Sequence, residues 1–268
     1  MDIPFSLKTP LVQISEEDSL ISDKPIQNGK NKFVYSSGKQ YVGNFKYGKP
    51  HGSGVLIDND NDKVMGYFKD GKAHGKIKIY NKDGTLKVDA NFKNGRFHGF
   101  CTIYNVEGEI LFKGHFKKGL VHGNGHLISE DGVFNYVGEF KDGYIHGIGV
   151  ASIGETKRIG SFRKNILEKN KITVFMSKDT GEKYIGYYDN YKPYGKGVLI
   201  RNDNSIVFME DFTDEKFNGL TVFVNSDGTY KKCLCFDGEP RKILEKSDTI
   251  DVIFFDDFYI YLSSYRFE

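Results

Sequence analysis

Between residues 41 and 224 the apolar positions of the chain recur at two periods at once. The short period is two. In Tyr41-Val-Gly43-Asn-Phe45 a ring, a gap and a second ring fall on one side of an extended backbone, with Val42 and Asn44 on the other. The long period is set by the aromatic that ends this motif: Phe45, Phe68, Phe92, Phe116, Phe140, Phe162, Tyr188 and Phe212 follow at intervals of 23, 24, 24, 24, 22, 26 and 24. Such an interval holds two strands and a connection, so each predicts one β-hairpin. Asp70-Gly71, Asn94-Gly95 and Asp142-Gly143 are typical turn pairs. The return strand is expected to start at the His-Gly pair and to alternate through Gly52, Gly54 and Leu56, or Gly123, Gly125 and Leu127.

A lone hairpin is marginal in water. Eight stacked hairpins share one continuous face, as solenoid repeats do. The expected fold is therefore all-β: an elongated, single-layer antiparallel meander of stacked hairpins with short terminal caps. Residues 1–32 read as an N-terminal arm, with Pro4, Pro10, Pro25 and the acidic run Glu16-Glu17-Asp18. Residues 33–240 read as the repeat array, degenerate after 157, with Phe33–Tyr35 covering the first hairpin. Residues 241–268 read as a closing cap or as a partner-binding segment. There Ile250, Ile253, Phe254, Phe258, Tyr261 and Leu262 fit helical spacing, and the same run also fits a buried strand.

Composition agrees with sheet. The 268 residues include 31 Gly, 22 Phe and 17 Tyr, and no Trp. Glycine at this level disfavours a helix-rich enzyme, and so many rings disfavour disorder. On the ring-bearing face glycines leave troughs in which neighbouring rings can lie. The charges nearly cancel, 38 basic against 36 acidic, which is no footprint for nucleic acid. Cys101, Cys233 and Cys235 are odd in number, so a reducing compartment is expected. The start of the chain lacks the pattern of a secretory leader, and no run approaches a membrane span.

The unit Tyr-x-Gly-x-Phe-x-x-Gly-x-x-His-Gly-x-Gly closely resembles the MORN (membrane occupation and recognition nexus) repeat, over about residues 41 to 224. The sixth unit departs from it, with Asn165 for the turn Gly and Glu168-Lys169 for His-Gly. The seventh has Tyr191 and Tyr194 at those turn and His positions but keeps Gly195 and Gly197, while the eighth keeps only Phe212 and Asn218-Gly219. A half-unit follows at Lys231–Gly238. The resemblance implies a non-catalytic scaffold or adaptor in a cytoskeletal, ciliary or membrane-associated assembly, in some members self-associating. A cytoplasmic setting, at the cytoskeleton or a membrane, is expected; some such proteins also carry a methyltransferase or lipid-kinase domain, and no enzyme is expected here because only about 45 residues follow the last clear unit.

The chemistry-bearing residues fit that reading. His51, His74, His98, His122 and His146 recur once per hairpin, about 10 Å apart by strand spacing. Zinc ligands lie about 2 Å from their ion, so this row does not converge on one metal. Each His is expected to bond backbone beside its Gly. His115 and His126 fall in the fourth hairpin and are expected to face each other. No cofactor is expected, since the glycines lack both the Walker Lys-Ser/Thr and a strand–helix context. The residue after each anchoring aromatic forms one more pattern: Lys46, Lys69, Lys93, Lys117, Lys141 and Arg163, then Asp189 and Thr213. These six cations are the candidate binding edge, for a protein partner or for acidic phospholipid. The anchors Phe45, Phe68, Phe92, Phe116, Phe140 and Tyr188 are expected to be structural.

Overall fold

The structure is a computed structural model that describes residues 28–189 and 192–247, and the backbone of 253–255 and 258–260. Among the described residues there is no helix and 72% are strand, in a single open antiparallel sheet of 20 strands in hairpin-meander order. The strands run β1 (Gly29–Val34), β2 (Gln40–Lys46), β3 (Lys49–Ile57), β4 (Lys63–Lys69), β5 (Lys72–Tyr80), β6 (Leu86–Lys93), β7 (Arg96–Tyr104), β8 (Ile110–Lys117), β9 (Leu120–Ile128) and β10 (Phe134–Lys141). They continue as β11 (Tyr144–Ile153), β12 (Thr156–Arg163), β13 (Ile166–Leu167), β14 (Ile172–Ser177), β15 (Lys183–Asp189) and β16 (Lys192–Ile200). The last four are β17 (Ile206–Thr213), β18 (Lys216–Val224), β19 (Tyr230–Phe236) and β20 (Glu239–Ser247). A separate pair, β21 (Ile253–Phe255) and β22 (Phe258–Ile260), lies in the segment whose role as cap or partner site falls outside the described side chains. The arm over residues 1–27 also lies outside the described residues. The chain divides into two compact units. Of the described residues, the first holds those up to Gly149 with Arg163–Ile166; the second holds Val150–Phe162 and those from Leu167 to Ser247.

In the first unit β1 pairs with β2 and each later strand pairs with the next through β10. One row of partners crosses this sheet at Gly43, Gly54, Gly66, Ile77, Ala90, Cys101, Gly114, Gly125 and Gly138. Rings lie over the glycines of that row except Gly66, where Ile77 takes the space. A Cβ on Gly43 or Gly54 would run into Tyr41, one on Gly114 or Gly125 into Phe112, and one on Gly138 or Gly149 into Tyr136. Where the covering residue is smaller the row is filled: Val64 is matched by Ile77, and Val88 by Ala90 and Cys101. The anchors Phe45, Phe68, Phe92, Phe116 and Phe140 are buried beside them. The rings meet edge to face, as for Tyr41 with Phe45 (5.2 Å, 86°) and with Phe68 (5.1 Å, 79°).

Each hairpin of the first unit closes on a two-residue turn with both central residues at positive φ, the geometry that matches strand twist. Examples are Asp70 (50°) with Gly71 (79°) and Asn94 (53°) with Gly95 (78°). The return strand therefore starts two residues before the His, at Lys49 or Lys72, and not at His-Gly as the sequence suggests. The His-Gly pair falls in a bulge, since Gly43 pairs with Gly54 but Phe45 with Pro50. The Tyr hydroxyl of the motif serves that bulge: Tyr41 donates to the Asn44 carbonyl (3.4 Å) and Tyr136 to the Glu139 carbonyl (3.1 Å).

The second unit repeats the plan. Tyr184 covers Gly186 and Gly197, packs on Tyr188 (5.5 Å), and donates to the Tyr187 carbonyl (3.3 Å). Where Glu168-Lys169 replaces His-Gly the regular return strand stops at Leu167, and β12 pairs with β14 instead. No glycine is present there to take the left-handed bulge position, and Asn170 adopts it (φ 61°) after the break. Asp237 and Gly238 close a further hairpin between β19 and β20, where the half-unit is expected.

Gly54→Ala is expected to lower stability by about 1–3 kcal/mol, the usual cost of overpacking. Adding Tyr41→Val should recover much of that loss, which a double-mutant thermal-melt cycle measures as coupling. Burial pushes the Tyr41 hydroxyl from its ordinary value of 10.0 up to about 12. Over that window the unfolded chain has lost a proton that the folded chain keeps. Stability should therefore fall as pH rises from 10.0 to about 12, and Tyr41→Phe should flatten the decline in pH-dependent melts.

Candidate functional site

The turns are tied to one another. In the first unit the amide of each turn residue donates to the carbonyl of the residue before His in the preceding hairpin: Gly71 to Pro50 (2.9 Å), Gly95 to Ala73 (2.9 Å), Gly119 to Phe97 (2.9 Å), Gly143 to Val121 (3.0 Å) and Asn165 to Ile145 (3.0 Å). Asn165 keeps the glycine's role and adds a second bond, accepting from the Ile145 amide through Oδ1 (2.8 Å). This stitching holds the turn edge as one row.

Lys46, Lys69, Lys93, Lys117 and Lys141 lie on that edge, each exposed beside its turn. The two-residue turns place a second residue directly opposite each one. Lys46 faces Lys49, Lys69 faces Lys72, Lys93 faces Arg96, and Lys117 faces Leu120. The edge is thus a double row of cations over its first three hairpins. Lys49, Lys72 and Arg96 are hidden when the segment before His-Gly is taken as loop; a turn of two residues, x-Gly directly after each lysine, places them opposite it. Among the described residues none of these eight cations forms an ion pair with a carboxylate. Lys46 instead lies over the Tyr47 ring at 5.2 Å. The nearest acids are directed elsewhere: Asp70 lies 3.4 Å from His51 Nδ1, and Asp142 lies 3.5 Å from His122 Nδ1. Arg163 is exposed at the same motif position and has a partner of its own.

The second unit treats the same positions differently. Asp189 faces Lys192 across its turn and accepts from Lys169 Nζ (2.5 Å). Lys192 pairs with Glu215 (3.4 Å) and Lys216 with Asp237 (2.6 Å). Hydrogen bonding to these carboxylates raises the affinity of Lys169 and Lys216 for their protons. Cation and carboxylate alternate there, and the edge is neutralised.

The histidines do not bond backbone as expected. Nδ1 of His51, His74 and His122 is buried without a hydrogen bond, and two of the three face the Asp of the following turn. Nor do His115 and His126 face each other. His126 lies opposite Lys113 and contacts Asn135 Oδ1 through Nε2 (3.0 Å), while His115 sits at the bulge against the Phe100 ring (5.4 Å). Among the described residues no group of three or more His, Cys, Asp or Glu side chains is placed to share a metal ion. Cys101 is buried, and burial pushes its thiol far above the ordinary range.

The face away from the rings carries one further feature. Val42, Val55 and Met65 are cross-strand neighbours, and with Lys30, Lys32 and the backbone of Gly43, Gly54 and Gly66 they line a shallow trough of about 650 Å³.

An open hairpin meander with rings laid over in-register glycines defines a sheet-repeat protein. The family model of the MORN repeat matches residues 41–63, 65–76, 89–108, 112–134 and 136–152. These five stretches, about a third of the chain, are similar to MORN repeats. Such repeats fit a membrane- or protein-binding protein and are generally non-catalytic. A comparison with curated protein sequences gives no match. Among solved structures the chain is similar to the crystal structure of the computationally designed Ika8 protein, at 14% identity over 94% of this chain and 93% of that one. The TM-score is 0.23, too low for the likeness to carry an argument. Among the described residues no helix is long and apolar enough to cross a membrane.

Like charges directly opposite on paired strands destabilise a sheet. Lys49→Glu, which sets a carboxylate against Lys46, is therefore expected to stabilise the protein by about 0.2–1 kcal/mol at low salt. The gain should shrink in about 1 M salt, where the screening length is about 3 Å. Thermal melts at the two salt concentrations check this.

Proposed function

We propose that the protein is a non-catalytic scaffold or adaptor that holds an acidic protein partner along the turn edge of its first unit, within a cytoskeletal or membrane-associated assembly. One observation carries this reading: the double row of cations over three consecutive hairpins, unneutralised there and neutralised at the same positions in the second unit. An acidic surface would remove the mutual repulsion of the opposed cations, so that binding and relief of strain act together. The inter-turn hydrogen bonds supply a rigid base for the row, which lowers the ordering cost of association.

The same edge favours a second reading, peripheral binding to acidic phospholipid. Each cation near an anionic membrane surface contributes about 1 kcal/mol. The variant with Lys46, Lys69, Lys93, Lys117 and Lys141 changed to Glu separates the two. Under the scaffold reading the wild-type chain retains a defined acidic protein in proximity labelling, the variant loses it, and neither floats with anionic vesicles. Flotation of the wild type alone would favour the lipid reading. An identical partner set for both forms would defeat the scaffold reading.

A further inference from the structure

We propose that the turn edge of the first unit reads an extended acidic segment in the polyproline II conformation, with a carboxylate at every third residue; this rests on the scaffold reading above. The geometry points to it through a match of spacings. Neighbouring strands lie about 4.8 Å apart, so the cation pairs Lys46/Lys49, Lys69/Lys72 and Lys93/Arg96 recur about every 9.6 Å. Three residues of a polyproline II helix advance about 9.3 Å and complete one turn. Residues i, i+3 and i+6 of such a segment therefore fall on one face, at nearly the spacing of the cation pairs.

A β-extended segment does not offer this. Its third neighbours point to opposite faces, because successive side chains alternate. An α-helix fits less closely: same-face acids at i, i+4 lie about 6 Å apart and at i, i+7 about 10.5 Å, so its register drifts by about 0.9 Å per hairpin against about 0.3 Å for polyproline II. A polyproline II segment has a solvated backbone free of internal hydrogen bonds, and so meets the edge with side chains alone. That suits the edge, whose turn amides Gly71, Gly95 and Gly119 are already bonded within the protein. Each carboxylate would sit between two cations that face each other across a turn. Asp70, in the turn between Lys69 and Lys72, lies 3.4 Å from His51 Nδ1 and forms an ion pair with neither lysine.

The test uses the full chain and two synthetic peptides of about fifteen residues, long enough to span the row in polyproline II form. One is a Glu-Pro-Ser repeat. The other has the same composition with its glutamates adjacent. Fluorescence anisotropy at about 0.05 M salt should show the repeat peptide bound about tenfold more tightly, with binding by both lost near 0.5 M. The Lys69→Gln, Lys72→Gln, Lys93→Gln variant, its fold checked by circular dichroism, should lose that preference, and Lys→Arg at the same positions should keep it. Equal affinity for the two peptides overturns the spacing inference and leaves the scaffold reading standing. Binding of phosphatidylserine vesicles with neither peptide bound overturns it and assigns the edge to lipid. Absence of binding to peptides and vesicles alike overturns both the inference and the use of this edge.

Discussion

The structure depends on rings laid flat against glycine. An open sheet has no second layer to bury its apolar face, so its core must be made within that face. In the first unit Tyr41, Phe112 and Tyr136 each lie across a pair of glycines on adjacent strands, and the rings then touch the anchors Phe45, Phe116 and Phe140 at 5.2–5.3 Å. The rule is one of summed volume. Where Tyr gives way to Val64 or Val88, the glycines opposite give way to Ile77 or to Ala90 and Cys101. Deviations from the repeat are therefore compensated in pairs, as close packing demands.

The bulge follows from the same arrangement. A ring reaching over its own strand brings the Tyr hydroxyl to the carbonyl three positions on, Asn44 for Tyr41 and Glu139 for Tyr136, which gives the buried hydroxyl an acceptor. Burying a hydroxyl without a partner is costly. Ring, glycine and bulge thus form one device, and the positive-φ glycine of His-Gly is the backbone hinge that permits it. Once the bulge fixes the pairing, the turn can hold only two residues, and the residues flanking it must face one another.

Much of this was legible in the chain. The period of about 24 residues gave the hairpins, the alternation gave the ring face, and the paired ring and glycine gave the packing. The loss of His-Gly at Glu168-Lys169 marked the place where the return strand breaks. The bulge was not legible, because it appears only when two strands are set side by side. Its omission shifted the start of the return strand by two residues, hiding Lys49, Lys72 and Arg96 as partners of the lysine row. It also obscured His51 and His122, which look toward Asp70 and Asp142 of the next hairpin instead of toward their own backbone. Contacts between hairpins carry no short-range signal in sequence.

The two ends of the hairpins show how charge is otherwise handled in this fold. Away from the turn edge, the connecting loops satisfy their own polar groups: Asp83 accepts from the Thr85 amide (2.9 Å) and hydroxyl (2.7 Å), which holds its carboxyl below the usual range, and Asp227 does the same with Thr229. In the second unit the turn edge is also satisfied, by alternating Lys and acidic residues. Neutrality at these positions is thus compatible with the hairpin geometry, since one acidic residue after the anchoring aromatic, as at Asp189, is enough to begin it. The cation row of the first unit is therefore not imposed by the turn. Opposed cations there oppose folding and make no contact that the sheet requires. A feature that the fold does without, and that weakens it slightly, is what supports the proposal of a negatively charged partner for this edge.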